Sequence, residues 1–170
     1  MRVLPHTRSC FVCGESNSIG LNLRFETDER LVTVRFVPRP EHAGFKQTVH
    51  GGLLATVLDE MMVWVCGVQS GRFAYCAELS VRFLHPARPG AEITGTAELT
   101  NNRRNKLFEA RAELTNSQGI VLARGSGKYL PIKEADAAAM LDDFVGNCVS
   151  GEPRTVLARQ SENNLLHFHI

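Results

Sequence analysis

The chain contains one long apolar stretch, residues 49–65, in a sequence whose other segments mostly alternate as β-strands do. This stretch reads VHGGLLATVLDEMMVWV, which is too long for an ordinary strand and has a glycine pair near its start. We therefore predict a helix over about residues 51–68, ended by Gln69-Ser-Gly71. Apolar side chains cover nearly every side of this helix, so a wide surface such as a curved sheet has to cover it.

Six further segments have the period-2 alternation or the β-branched content of strands. Two of them precede the helix and four follow it, with turn residues between them. This order predicts an α+β fold in which antiparallel strands form a sheet against one long helix. The predicted strands are residues 21–25, 31–37, 74–85, 91–102, 105–115 and 120–130.

Residues 133–170 do not continue the strand pattern. Residues 134–145 are rich in helix formers, whereas residues 146–170 have little periodicity and contain two glycines and a proline. We predict a folded domain over residues 1–132, followed by an appended helix and a flexible C-terminal tail over residues 133–170.

The composition predicts a soluble globular protein. The 170 residues are 44% hydrophobic and 22% charged, and the net charge of +1 excludes a general attraction to nucleic acid or to an anionic membrane. No uninterrupted apolar run reaches about 18 residues, and the first residues lack the apolar core of a secretory signal. The five scattered cysteines then indicate reduced thiols and a cytoplasmic location.

Two carboxylates, Asp59 and Glu60, lie in the middle of the apolar helix. A buried carboxylate costs several kcal/mol unless it is paired or hydrogen-bonded, so stability alone does not favour one there. For Glu60 we expect a position at the helix edge, in solvent or in an ion pair. For Asp59 we expect a functional role, because Gly51 and Gly52 at the helix start offer free backbone N–H groups to a negative oxygen.

The spacing of these groups has a geometric consequence. Asp59 is eight residues beyond Gly51, which is about 12 Å along one helix at 1.5 Å per residue. A reacting carbonyl must lie roughly 3 Å from both an attacking group and an oxyanion donor. If the two groups cooperate, Asp59 and Gly51 must therefore come from two copies of the chain related by a two-fold axis.

Three segments resemble one known family. The run from His50 to Glu60, HGGLLATVLDE, resembles the helix signature of the hotdog-fold acyl-CoA thioesterases, in the phenylacetate-pathway-like and 4-hydroxybenzoyl-CoA thioesterase-like branches. Residues 77–90 resemble the next strand of those enzymes, and residues 10–21 resemble the N-terminal segment of a subgroup of them. The resemblance covers about residues 10–132.

The resemblance implies a hotdog fold, assembly into a homodimer or homotetramer, and hydrolysis of an acyl-CoA thioester. It implies that Asp59 attacks or activates water and that the amide of Gly51 from the other subunit forms the oxyanion hole. His50, as a helix cap or a base, and Glu60 complete the candidate catalytic set. The candidate substrate-binding residues are Gly52, Gln47, Cys76, Arg103 and Arg104.

The basic residues of this set lie in a turn, Arg103-Arg104-Asn-Lys106. In the family, basic residues in this part of the sheet contact the nucleotide end of coenzyme A. The alternative interpretation of this turn is that its charges are only solvated. The acyl group is expected near Met61, Met62 and Trp64, or near the loop of residues 38–48.

Two positions depart from the family pattern and favour a second function. Gly44 stands where some relatives have an asparagine near the thioester, and Gln47 is a candidate replacement amide. Cys76 stands where relatives often have a serine or threonine that holds the attacking water, and a thiol is a weaker hydrogen-bond partner. The alternative function is therefore a non-catalytic acyl-CoA-binding sensor. A hotdog hydratase is not favoured. It needs a dedicated Asp/His pair at the helix loop, and the sequence shows no such arrangement.

Cys10-Phe-Val-Cys13 has the spacing of half a zinc site, with His6 and Cys148 as conceivable partners. The usual zinc pattern has two closely spaced pairs, and the chain has only one. The sequence therefore predicts no metal and no cofactor, and it contains no phosphate-binding glycine motif.

Overall fold

The computed structural model describes residues 1–145 and has one long helix against a large sheet. The helices are α1 (Gly51–Ser70) and α2 (Glu134–Met140), with 3-10 turns at Pro40–His42 and Leu141–Asp143. The strands are β1 (Arg2–Val3), β2 (His6–Thr7), β3 (Phe25–Thr27), β4 (Leu31–Phe36), β5 (Ala43–Phe45), β6 (Thr48–Val49), β7 (Ala74–Phe83), β8 (Ile93–Asn102), β9 (Phe108–Asn116), β10 (Val121–Pro131) and β11 (Phe144–Val145).

Seven strands form the main sheet in the order β1-β3-β4-β8-β9-β10-β7, and every neighbouring pair is antiparallel. Helix α1 packs against β4 and β7–β10. The strands β5 and β6 form a small hairpin immediately before α1, and β2 pairs with β11. The predicted α+β arrangement of one long helix against an antiparallel sheet is confirmed.

Helix α1 is held at both ends by caps and along its length by the core. His50 caps its N-terminus, and Gly71 ends it with a left-handed φ of 72°. Each large apolar side chain that it buries contributes about 1.5–3 kcal/mol. By length and by a mean hydropathy of 1.5 the helix could span a membrane, but its packing is that of a core helix. The buried residues are Leu54, Val57, Leu58, Met61, Met62, Trp64, Val65, Cys66 and Gly67.

The first predicted strand is displaced. Residues 31–36 form β4 as expected, but its partner is β3 at residues 25–27 rather than residues 21–25. The amides of Leu21 and Leu23 donate instead to the carbonyls of Phe11 and Val12 in the N-terminal segment. Asn22 between them has a left-handed φ of 53°, which breaks a continuous strand.

The segment after β10 packs back onto the domain. Helix α2 ends at Met140, so the predicted helix over residues 134–145 is too long, and the chain continues as a 3-10 turn and β11. Phe144 pairs with Thr7 and lies edge-on to Trp64. The flexible tail predicted over residues 146–170 lies outside the described residues, and the domain boundary at residue 132 stays a prediction.

Strand β7 is at the edge of the main sheet and pairs within residues 1–145 only with β10. It has 10 residues, and its large apolar side chains Tyr75, Leu79 and Phe83 are 58%, 37% and 53% exposed. A long edge strand with exposed apolar side chains is a surface on which another strand can pair.

Candidate functional site

The Asp59 carboxylate lies beside the edge of the sheet, where it is held by a tyrosine. The Tyr129 hydroxyl donates a hydrogen bond to Asp59 Oδ1 at 2.9 Å. Tyr129 is fully buried on β10, whereas Asp59 is only partly buried on α1. The bond therefore holds one carboxylate oxygen in place beside the edge of the sheet.

A β-bulge directs the side chains of this site toward the helix. The register of β7 and β10 shifts between Lys128, which pairs with Glu78, and Tyr129, which pairs with Cys76. The extra residue on β7 puts Cys76 and Tyr129 on the helix side of the sheet together.

Gly127 makes room for the tyrosine ring. A Cβ at this position would lie 2.7 Å from Cε2 of Tyr129 and 2.8 Å from its hydroxyl oxygen. The ring therefore lies back along β10 over this glycine.

The groups around Asp59 are proton donors at neutral pH. Burial raises the pKa of Tyr129 far above its usual range, and the charge of Asp59 raises it further. Partial burial raises the pKa of Cys76 to about 11, with a further contribution from Asp59, and burial raises the pKa of Cys66 to about 12. Near neutral pH these three groups keep their protons, so Asp59 is the hydrogen-bond acceptor among them.

The start of α1 presents one unpaired amide. The ring of His50 accepts a hydrogen bond from the Gly52 amide at its Nδ1 atom, at 2.9 Å. Within residues 1–145 the Gly51 amide has no acceptor. Of the two roles predicted for His50, a helix cap or a base, the structure shows the cap. The Gly51 N–H remains as the donor available to an oxyanion.

A cavity of about 560 Å³ opens at this helix start. Its lining includes Gly51 and the apolar side chains of Phe45 and Phe83. The loop of residues 38–48, one of the two predicted acyl sites, thus contributes to a cavity. Met61, Met62 and Trp64, the alternative acyl site, are buried in the core of the single chain and do not line this cavity.

Asp59 and Gly51 lie toward opposite ends of β7 in one chain. Tyr129, the partner of Asp59, pairs with Cys76 near the start of β7. Gly51 lies against Phe83 at the end of β7, since a Cβ on this glycine would be 3.2 Å from the Phe83 ring. Seven residues of strand separate Cys76 from Phe83, which is about 23 Å.

The remaining predicted binding residues differ in their surroundings. Gly44 lies against His50: a Cβ on Gly44 would be 2.9 Å from the His50 ring, so a larger residue at this position requires His50 to shift. Gln47 is exposed in the β5–β6 turn with a φ of 59° and is not among the residues that line the cavity. The Arg103 guanidinium pairs with Glu109 at 2.6 Å, whereas Arg104 has no ion pair within residues 1–145.

Glu60 lies on another side of α1, away from Tyr129 and Cys76. Its Oε1 atom accepts a hydrogen bond from Trp64 Nε1 at 3.2 Å and lies 3.7 Å from the sulfur of Cys10. Burial raises its pKa to about 7. We expected Glu60 to lie in solvent or in an ion pair. Within the described residues this is wrong, because its carboxylate contacts an indole and a thiol.

Sequence reasoning missed Tyr129 and Gly127. The available signal is the order Gly125-Ser-Gly-Lys-Tyr129, in which two glycines and an aromatic residue share one face of a strand. Glycine on the covered face of a strand indicates that another group approaches the backbone closely. That pattern predicts crowding, but it does not identify the carboxylate that the tyrosine meets.

Part of the chain is similar to known thioesterases. Residues 46–123 match the family model described as the thioesterase superfamily. Acyl-coenzyme A thioesterase 13 of Mus musculus is 31% identical over 88 residues, which are 50% of this chain and 61% of the mouse protein. The chain thus spans about three fifths of the length of this curated relative.

Two solved structures share the fold. A thioesterase superfamily protein aligns with a TM-score of 0.66 and 22% identity, over 72% of this chain and 63% of its own. The E. coli PaaI protein from the phenylacetic acid degradation operon aligns with a TM-score of 0.57 and 24% identity, over 62% of this chain and 79% of its own. The hotdog fold and the resemblance to the hotdog thioesterases are confirmed.

Proposed function

From its hotdog fold and the thioesterase-superfamily segment over residues 46–123, we propose that this protein hydrolyses an acyl-CoA thioester to a free acid and coenzyme A. We propose further that it does so as a homodimer in which each active site takes residues from both copies. The observation that carries the proposal is the Asp59 carboxylate held by Tyr129 next to an edge strand, at a distance from the free amide of Gly51.

Pairing of β7 with the same strand of a second copy brings the two halves of the site together. A two-fold axis near Leu79 and Ser80 runs the strands antiparallel, so that Cys76 of one copy lies opposite the partner's Phe83. Because Gly51 lies against Phe83 in each copy, this pairing carries the partner's Gly51 toward Asp59. It also covers the exposed apolar side chains of β7.

The chemistry needs one base or nucleophile and one oxyanion donor. Asp59 takes a proton from water as the water attacks the thioester carbonyl, or it attacks the carbonyl itself and forms a mixed anhydride, which water then hydrolyses to release the acid and restore the carboxylate. The amide of the partner's Gly51 donates to the oxyanion that forms, and collapse of the intermediate expels the coenzyme A thiolate. Tyr129 holds Asp59 in place during these steps.

The surroundings suit the two ends of the substrate. The cavity at the helix start has apolar walls, including Phe45 and Phe83, and suits an apolar acyl group. The basic turn precedes Phe108, which pairs with Tyr129. Within residues 1–145 Arg104 has no ion pair, whereas Arg103 pairs with Glu109, so Arg104 is the better of the two arginines for a phosphate of coenzyme A.

Release of free thiol from a panel of acyl-CoA substrates tests the activity. The wild-type protein is expected to release coenzyme A, and Asp59→Asn to bind the same substrates without releasing it. Binding without thiol release by the wild type would overturn the proposal and support the acyl-CoA-binding sensor, which the departures at Gly44 and Cys76 favour.

Mixed dimers test the shared site. Gly51→Pro removes the amide proton, and proline is well tolerated at the first position of a helix. His50 already has the extended backbone, φ −61° and ψ 130°, that precedes proline. The matched control Gly51→Ala keeps the N–H and adds a carbon at the same place.

The Asp59→Asn and Gly51→Pro homodimers are each expected to lose about 10²-fold or more of the activity. A purified heterodimer of these two variants has one site with both defects and one intact site, so it should recover half of the wild-type activity. A heterodimer as inactive as both parents, with dimerisation verified by sedimentation, would show that each site lies within one chain.

A further inference from the structure

We propose that Cys10, Cys13 and Glu60 form a binding site for one divalent metal ion of the zinc type. Their ligand atoms all lie within 4.8 Å of one another. The two cysteines belong to the N-terminal segment and Glu60 to α1, so the ion would fasten this segment to the central helix. The proposal does not rest on the proposed hydrolysis, because its residues lie away from the cluster of Asp59, Tyr129 and Cys76.

The geometry suits tetrahedral coordination. Zinc lies about 2.3 Å from a thiolate sulfur and about 2.0–2.2 Å from a carboxylate oxygen, which separates two such ligands by about 3.5–3.8 Å. Cys10 Sγ and Glu60 Oε1 are 3.7 Å apart. Thiolates favour zinc over magnesium or calcium, and three protein ligands leave the fourth position to water.

The contacts around the sulfurs are those that support metal ligands. The Val12 amide donates to Cys10 Sγ at 3.2 Å, and the Thr7 hydroxyl lies 3.7 Å from Cys13 Sγ. The turn that places the cysteines side by side needs Gly14, because a Cβ there would lie 2.2 Å from the Cys10 carbonyl oxygen. Such outer contacts orient the ligands and tune their basicity.

A divalent cation would compensate the charge that this cluster acquires when its two thiols lose their protons. Within residues 1–145 Glu60 has no ion pair, and Cys13 is only 1% exposed. Binding replaces the two thiol protons, which pass to solvent, and the ion then balances most of the negative charge of two thiolates and one carboxylate.

The third ligand of the proposed site is Glu60, and not His6 or Cys148, the two partners considered from the sequence. His6 Nε2 lies 3.1 Å from Glu15 Oε2, and His6 is not part of the cluster. Cys148 lies outside the described residues.

The test uses the full-length reduced protein. After gel filtration the wild type is expected to retain about one zinc ion per chain by elemental analysis. The metal-free protein titrated with Co²⁺ should develop the thiolate-to-metal charge-transfer band and the strong visible bands of a tetrahedral site. Trp64 is the single tryptophan and donates to Glu60, so Co²⁺ should also quench its fluorescence.

Variants assign the ligands. Cys10→Ser, Cys13→Ser and Glu60→Gln should each lower Co²⁺ affinity at least about tenfold. His6→Ala removes an imidazole from the same segment, and Cys76→Ser removes a thiol elsewhere; both should bind Co²⁺ as the wild type does. No charge-transfer band in the folded, reduced wild type at saturating Co²⁺ would overturn the proposal without reference to any variant. So would unchanged affinity in all three ligand variants.

Discussion

Asp59 and Glu60 are adjacent in sequence, yet their side chains lie in different parts of the molecule. Asp59 lies at the sheet edge, where it accepts from Tyr129 and remains partly open. Glu60, about 100° further around α1, lies against Cys10 and Trp64 of the chain's own core. We propose a reaction between two copies of the chain for the first carboxylate, and a cation site within one copy for the second.

Exchanging each acid for its amide should separate these roles most strongly. Asp59→Asn is expected to lower kcat/KM about 10²–10⁴-fold, because it removes the base or nucleophile, while metal content stays unchanged. Glu60→Gln is expected to change kcat/KM less than about tenfold and to lower Tm in the zinc-loaded protein, because tenfold weaker binding removes about 1.4 kcal/mol. Steady-state kinetics, elemental analysis and calorimetry measure these effects.

The chelated proteins serve as the control for this pair. Without metal, Glu60→Gln replaces a buried acid by a neutral isostere, so its Tm should equal or exceed that of the wild type. Equal losses of activity from the two substitutions would remove the distinction between the two sides of α1.

The tyrosine is the next test of the Asp59 side. Tyr129→Phe deletes a hydrogen bond to a charged group, which contributes about 1.5–3 kcal/mol, so kcat should fall about 10–100-fold. KM should stay nearly constant, because we propose that the buried Tyr129 acts only by positioning Asp59. Tyr75→Phe is the matched control, since Tyr75 is the other tyrosine of the chain and its hydroxyl makes no hydrogen bond within residues 1–145. A rise in KM with constant kcat would contradict this role.

Local pattern was sufficient to predict the helix, its caps and the separation of Asp59 from Gly51. These features depend on spacing within one element, which the periodicity of a helix determines. The partners of the two acids depend on contacts between distant segments. Tyr129 reaches Asp59 only through a bulge in β10 and β7, and Cys10 meets Glu60 only because the N-terminal segment folds onto α1. The sequence also missed the displacement of the first strand, because the left-handed backbone of Asn22 has no signal in the alternation of Leu21 and Leu23.

Gly127→Ala gives the smallest of these effects. The new Cβ would lie within 2.8 Å of the Tyr129 hydroxyl oxygen, so the ring must shift and kcat should fall by up to about tenfold. Overpacking should also cost about 1–3 kcal/mol of stability.

Gly125→Ala is the matched control on the same face of β10, because its Cβ would meet Met62 at 3.2 Å rather than the tyrosine. A double-mutant cycle with Tyr129→Phe separates the two contributions. If Gly127 acts through the Tyr129–Asp59 bond, then Gly127→Ala should have little further effect on kcat once the hydroxyl is gone, whereas Gly125→Ala should have the same effect on stability in both backgrounds. An undiminished effect of Gly127→Ala in the Tyr129→Phe background would mean that the glycine supports the strand and not the position of the carboxylate.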